Sequence, residues 1–285
     1  MACDWLLIDG SSLIFRAFYG VPAAAVRAPD GRPVNAVRGF LDNLARLITQ
    51  RKPRQLAVGS DAAWRPDWRV ALIPGYKAHR TAEPVPPLLI PQLPVIADLL
   101  DAAGVDSAGV ADYEAEDVIA AWTASAPGTI EVVSGDRDLF ALVEDPRVRV
   151  LYPERGGLTV VDEAEVTRRY AVPGRRYADF AVLRGDPSDG LPGLKGVGAQ
   201  TAAQLIGRYG GVEGMLRDAP LKDGDRDYLS RAMQVVEPRR DLAVALPAGR
   251  RDAYPADPAA FAALGVQHGV ESSCARLLTA LQGMR

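Results

Sequence analysis

The chain has 285 residues, 48% of them apolar and 24% charged, with glycine and proline scattered along its length. It is long enough to bury one large core or two modest ones unaided, which excludes a small disulfide-stapled scaffold, and its composition excludes collagen, coiled coil and wholesale disorder. A net charge of −3 on its own argues against a nucleic-acid partner, whose usual footprint is overall basicity.

Only Cys3 and Cys274 are present, far apart and without metal-binding spacing, which fits a reducing compartment and predicts a cytoplasmic protein. No apolar run approaches a membrane span, and Asp4 stands where a signal peptide would carry basic residues. Two histidines, His79 and His268, leave zinc chemistry and a Ser-His-Asp triad poorly supplied. Carboxylates are the abundant reactive group.

Trp5 to Ile8 is a short apolar run ending in Asp9; Gly10, Ser11 and Ser12 follow, with the serines positioned to cap a helix from about Leu13. The same pattern recurs where Leu56 to Val58 runs toward Asp61, and where Ile130 to Val133 runs into Gly135-Asp136-Arg137-Asp138. Strands alternating with helices predict an α/β fold with a mostly parallel sheet flanked by helices, and ligands beyond the carboxyl ends of its strands. From about residue 62 to 94 the pattern breaks into an insertion rich in Trp, Arg and Pro, too long for an ordinary connection. Its prolines, at 84, 86, 87, 91 and 94, preclude one long helix after Ala82. After Tyr177 the strand signals fade into short helices, at 177–184, 199–208 and 212–216, and Leu277, Leu278 and Leu281 give a final helix that packs back on the body.

Asp9, Asp61, Asp136 and Asp138 stand at or just past strand ends. Glu114, Glu116 and Asp117 open a helix-like stretch, and Asp186 and Asp189 form a further pair. Any one of them is explained equally well as a turn former or helix cap, the reading given to Asp112. Together they would repel one another unless a cation neutralised them, and hard oxygen donors suit Mg²⁺ or Mn²⁺. Glu116 would point away from Glu114 and Asp117 in a regular helix, so the helix is expected to begin inside the motif.

Within residues 62–84, Arg65, Arg69, Lys77 and Arg80 outnumber Asp67 and Glu83, opposite in sign to the whole chain, and Trp64, Trp68 and Tyr76 are interleaved with them. Cations for phosphates and aromatic faces for bases are the equipment of single-strand binding, and they place Arg69 and Tyr76 among the DNA-contacting candidates. Lys195, Gly196, Gly198 and Thr201 belong to a glycine turn leading into a helix, where backbone amides can meet phosphate without reading sequence.

The segments Leu7-Ile8-Asp9-Gly10, Tyr76-Lys77-Ala78-His79-Arg80, Tyr113-Glu114-Ala115-Glu116-Asp117, Ser134-Gly135-Asp136-Arg137-Asp138 and Gly185-Asp186-Pro187-Ser188-Asp189 through Gly198 occur in this order. In that combination the chain, from Trp5 to about Leu216, resembles the 5′ nuclease family: flap endonucleases and 5′-3′ exonucleases, including the N-terminal nuclease part of bacterial DNA polymerase I. The resemblance implies a PIN-like, resolvase-like catalytic domain over 1–176 with an arch insertion at 62–94. It implies a helix-hairpin-helix module with C-terminal helices over 177–285. It further implies two-metal hydrolysis of DNA phosphodiesters near 5′ ends, flaps, overhangs and nicks, using two or more Mg²⁺ or Mn²⁺ ions. Asp9, Asp61, Glu114, Glu116 and Asp136 would serve the inner metal region, and Asp117, Asp138, Asp186 and Asp189 the second. Lys77 and Arg80 would contact the scissile phosphate and supply charge as the reaction proceeds. A K⁺ ion at the hairpin, a monomeric state, a nucleoid-associated place of work in replication and repair, and a DNA polymerase acting in trans complete the expectation. Glu116 replaces the Asp usual in bacterial members, and Gly190 their Asn. Two competing readings remain: a PIN-type ribonuclease, and a non-catalytic binder of branched DNA.

Overall fold

The computed structural model describes residues 3–82 and 85–284, so Glu83 and Pro84 of the insertion lie outside the described residues. Six strands form one sheet in the order β3-β2-β1-β4-β5-β6. They are β1 (Trp5–Asp9), β2 (Gln55–Gly59), β3 (Asp106–Ala108), β4 (Ile130–Val133), β5 (Val148–Glu154) and β6 (Gly157–Val161). The first five pair in parallel and β6 turns back antiparallel on β5. Strands covered on both faces need apolar residues at nearly every position: β1 is apolar from Trp5 to Ile8, and β4 is apolar except for the buried Glu131, whose charge Arg51 pairs. Along β1 the side chains alternate: Trp5 and Leu7 enter one core with Ala57 and Val132, while Leu6 and Ile8 enter a second with Leu56 and Val58.

Between β1 and β2 lie α1 (Gly10–Gly20) and α2 (Asn35–Arg51). Three more helices, α3 (Asp67–Leu72), α4 (His79–Ala82) and α5 (Gln92–Ala103), separate β2 from β3, and α6 (Ala115–Ser125) leads to β4. Pro94 lies in the first turn of α5, where its missing N–H costs nothing. After the sheet come α7 (Glu163–Tyr170), α8 (Tyr177–Arg184), α9 (Ala199–Tyr209), α10 (Val212–Asp218), α11 (Asp223–Val236), α12 (Pro258–His268) and α13 (Glu271–Gln282). Helices α1, α2, α5, α12 and α13 supply the core around Leu6 and Ile8, with Leu277 and Leu281 of α13 closed against α2. Helices α6 and α8 to α11 supply the core on the opposite face.

Two local expectations are corrected. Helix α1 starts at Gly10 because Asp9 is its cap: the Ser12 N–H donates to Asp9 Oδ1 at 2.9 Å, so the serines belong to the first turn. Asp112 does not cap α6; it occupies a left-handed turn at φ 64°, and Glu114 is the N-cap, its own N–H donating to the Asp117 carboxylate at 3.3 Å. The chain leaves β1 toward β2 on one side and returns to β4 on the other, so the crevice between their carboxyl ends is the switch point of the sheet.

Candidate metal centre and nucleic-acid interface

A cleft of about 730 Å³ opens at that switch point, lined by Asp9, Asp61, Glu114, Glu116, Asp136 and Asp189, together with Lys77 and Arg80. Each acid is delivered by backbone geometry. Asp9 ends β1, with Ser134 Oγ donating to its second oxygen at 2.5 Å. Asp61, just past β2, accepts from the Ala115 N–H at 2.7 Å and so binds the sheet rim to the start of α6. Asp136, after β4, accepts from the Asp138 N–H at 2.9 Å. Because α6 begins at Ala115, inside the acidic motif, Glu116 is brought round into the cleft.

Glu116, Asp136 and Asp138 each offer a carboxylate oxygen within 4.8 Å of the others, the spacing of a shared cation. Buried Glu116 Oε1 lies 2.7 Å from Arg69 Nη1, yet receives no hydrogen bond of acceptable geometry. Burial pushes the Asp9 carboxyl up to about 7, with the neighbouring Asp61 and Asp136 charges adding to it. Asp138 is held well above the ordinary carboxylate range by burial, then by Asp136 and Asp189, and Glu116 rises chiefly by burial against the opposing pull of Arg69 and Lys77. Asp61 and Asp189 are raised for the same leading reason. An all-oxygen donor set held under mutual repulsion is what a hard divalent cation relieves, so these residues fit Mg²⁺ or Mn²⁺.

Glu114 behaves differently. Burial opposes its charge, but Lys77 and Arg69 overcome that and hold it below the ordinary range. Lys77 Nζ donates to Glu114 Oε1 at 2.6 Å, the Tyr76 hydroxyl donates to Oε2 at 2.6 Å, and Arg69 donates to Oε2 as well.

The structure thus alters part of the expected site. Arg69 and Tyr76, read from residue type as DNA contacts, are 0% and 1% exposed. Arg69 lies beneath the acids, its guanidinium bridging Glu114, Glu116 and Asp117, so neither side chain faces a surface that DNA can touch. Asp117 is likewise withdrawn from the cleft: it accepts from Arg69 at 2.8 Å, from the Arg239 N–H at 3.0 Å and from the Glu114 N–H at the start of α6. Asp186 is turned toward Arg137, which donates to it at 3.0 Å. Arg80, partly exposed, donates to the Trp64 carbonyl at 2.9 Å and stands 3.6 Å from Glu114. Lys195, Gly196, Gly198 and Thr201 are exposed around the N-terminus of α9, outside the cleft.

The cleft also recruits residues that the sequence reading left aside: Phe15, Arg16 and Tyr19 on one face of α1, and Arg137 between Asp136 and Asp138. Phe15 meets Trp64 edge-on with ring centroids 5.0 Å apart. The signal was present in the spacing of an aromatic at 15, a cation at 16 and an aromatic at 19, about two helical turns along from the cap at Asp9.

The model of the 5′-3′ exonuclease N-terminal resolvase-like domain matches residues 4–171, and that of the 5′-3′ exonuclease C-terminal SAM fold matches residues 172–245. The chain belongs to the 5′-3′ exonuclease family. A 5′-3′ exonuclease of Streptomyces coelicolor is 48% identical over 97% of this chain and 99% of the relative. One from Mycobacterium tuberculosis is 46% identical over 99% of this chain and 98% of its own length. Among solved structures, the bacteriophage T5 flap endonuclease in a pseudo-enzyme-product complex with DNA and metal ions superposes with a TM-score of 0.67 at 17% identity, covering 98% of this chain and 99% of that one. As a member of the 5′-3′ exonuclease family the protein is a hydrolase of nucleic acid, and its resolvase-like part carries the entire acidic cleft except Asp189. Among the described residues, no helix is long and apolar enough to cross a membrane.

Proposed function

We propose that the protein hydrolyses DNA phosphodiesters near 5′ ends and flaps with a requirement for two or more Mg²⁺ or Mn²⁺ ions, leaving a 5′-phosphate and a 3′-hydroxyl. The observation that carries this reading is the convergence of Asp9, Asp61, Glu116, Asp136, Asp138 and Asp189 beside Lys77 and Arg80 at the switch point of the sheet. Those six carboxylates hold the ions, which when bound supply Lewis acidity and a water made acidic enough to attack at neutral pH. Arg80 neutralises phosphate at the mouth of the cleft. Lys77, fixed against Glu114, directs positive charge at the cleavage site without needing to reorganise as charge develops. Phe15, Trp64 and Tyr19 offer faces to an unpaired base, and the exposed turn at Lys195 to Thr201 grips duplex backbone, with a K⁺ ion where carbonyls converge. Residues 1–176 form the catalytic unit with the 62–94 segment arching over it, and 177–285 the duplex-binding unit. The cleft repels phosphate until it is loaded, so tight DNA engagement depends on the divalent ion. Work on DNA in the cytoplasm as a monomer, with any polymerase recruited in trans, completes the proposal.

The deciding experiment is a 5′-flap duplex incubated with Mg²⁺, Mn²⁺ or EDTA, every cut mapped, beside the matching RNA flap. Cleavage near the flap junction is expected with either metal and not with EDTA. Asp136→Asn is expected to lower the rate by about 100-fold or more while the DNA is still bound. A strong preference for unbranched RNA, or an Asp136→Asn protein that cuts as fast as wild type, would overturn the proposal.

A further inference from the structure

Two backbones cross beneath the cleft where Gly75 meets Gly190. Gly190 adopts φ 72°, and a Cβ placed there would come within 1.9 Å of the Gly75 carbonyl oxygen; a Cβ on Gly75 would lie 3.2 Å from the Gly190 carbonyl oxygen. Neither side has room to retreat. The Gly75 carbonyl accepts the Ala78 N–H at 3.2 Å in the turn entering α4. The Gly190 loop is closed by the pair Asp186 N–H to Leu191 O at 3.1 Å and Leu191 N–H to Asp186 O at 2.9 Å, with the Leu191 side chain in the core.

Two residues after Gly75 and one before Gly190 the crossing has a chemical result. The Lys77 N–H donates to the Asp189 carbonyl at 3.0 Å, and Lys77 Nζ then lies 3.8 Å from Asp189 Oδ1 and 2.6 Å from Glu114 Oε1. Lys77 itself has φ 44°, a left-handed conformation uncommon for a residue with a side chain and here outside a helix C-cap. The bond to Asp189 is the constraint on that backbone from the 186–191 loop, and it exists only while the two segments stay this close.

We propose that the Gly75–Gly190 crossing is a backbone clasp that sets Lys77 against Asp189, making Gly190 a positioning residue for the cleavage step. The absence of an Asn at 190 thereby acquires a cause: Asn accepts a left-handed φ, but its Cβ would strike the Gly75 carbonyl. The proposal rests on the reading of Lys77 as the cation of the reaction, and its test separates the two.

Gly190→Asn keeps the backbone preference and adds the clash. Three readouts are taken on the full chain: hydrogen exchange of the Lys77 amide, single-turnover cleavage of a saturating 5′-flap duplex with Mg²⁺, and flap affinity. The Lys77 amide is expected to exchange at least about tenfold faster. Cleavage should slow by about 10- to 100-fold with affinity changed less than about twofold. In a Lys77→Ala background the same substitution should cost less than about twofold, because the residue it positions is gone. Unchanged protection of the Lys77 amide, or a full loss of rate persisting in the Lys77→Ala background, would overturn the clasp. If Lys77→Ala alone cuts at the wild-type rate, the role given to Lys77 fails while the exchange of its amide still judges the clasp. Should Gly190→Asn not fold, Gly75→Ala, with its milder contact, decides by the same three readouts with the same signs.

Discussion

Asp9 makes the cost of the acidic cleft measurable. Its side chain is buried, and its carboxyl is pushed from 3.8 up to about 7 by burial and the charges of Asp61 and Asp136. A folded-state pKa above the unfolded one means the native protein holds this proton more tightly. The associated stability is therefore complete below about pH 4 and is lost as pH rises through about 7. A displacement of this size corresponds to roughly 4 kcal/mol, or on the order of 10 °C in melting temperature for a chain of this length. Asp61, Glu116, Asp138 and Asp189 shift in the same direction, and Glu114 in the opposite one. Urea or thermal melts in EDTA from pH 4.5 to 8.5 should accordingly show stability falling toward neutrality, and millimolar Mg²⁺ should restore it at pH 8 but add little at pH 4.5. Asp9→Asn retains an acceptor for the Ser12 N–H, so it should be more stable than wild type at pH 8 without metal and nearly equal to it at pH 4.5. An Asp9→Asn protein destabilised equally at both pH values would refute the reasoning, because its deficit would then be lost packing and not relieved charge.

Arg69→Met leaves Glu114, Glu116 and Asp117 facing one another without their shared guanidinium, and should cost about 3–5 kcal/mol in a urea melt at pH 7, with part of the loss recovered at pH 5. Lys77→Ala and Arg80→Ala should each slow single-turnover cleavage by about 100-fold while flap affinity stays within a few-fold, and near-wild-type rates for both would remove them from the reaction. Lys195→Ala should weaken duplex binding and reduce the slope of log affinity against log salt by about one, a change seen in a titration series between low and moderate salt.

The strands that place the site were legible because burial on both faces demands apolar residues: Trp5 to Ile8 meets that demand throughout, and Ile130 to Val133 meets it except at Glu131, which is buried against Arg51. The edge elements were not. β3 is Asp-Ser-Ala, a strand made by its neighbour β2 and not by its own residues, and β5 with β6 mixes charged and apolar side chains around Gly156 and Gly157. Six of the nine acids line the cleft: five stand after strands or at the mouth of α6, the sixth, Asp189, comes from the loop between α8 and α9, and Asp138 joins Glu116 and Asp136 beside it. Arg69 and Tyr76 were misread for one reason. A guanidinium and a phenol near an active site suggest solvent and substrate, whereas here they neutralise and tie together the acids from within. Residue type carries no information about which side of a cleft a side chain approaches from; only the placement of α3, whose Arg69 reaches the start of α6, does.

The acids of the cleft are also the bolts of its frame: Asp9 caps α1, Asp61 holds the Ala115 amide, Asp136 closes the turn to Asp138, and Glu114, with Asp117 behind it, begins α6. A descendant of this chain that gave up cleavage would still lose helix starts and turns by discarding them. Erosion of activity in such a lineage should first show in the exposed cations, at Arg80 and Lys195, long after which the carboxylates, and the buried Lys77 that pairs Glu114, would persist as a record of an abandoned chemistry.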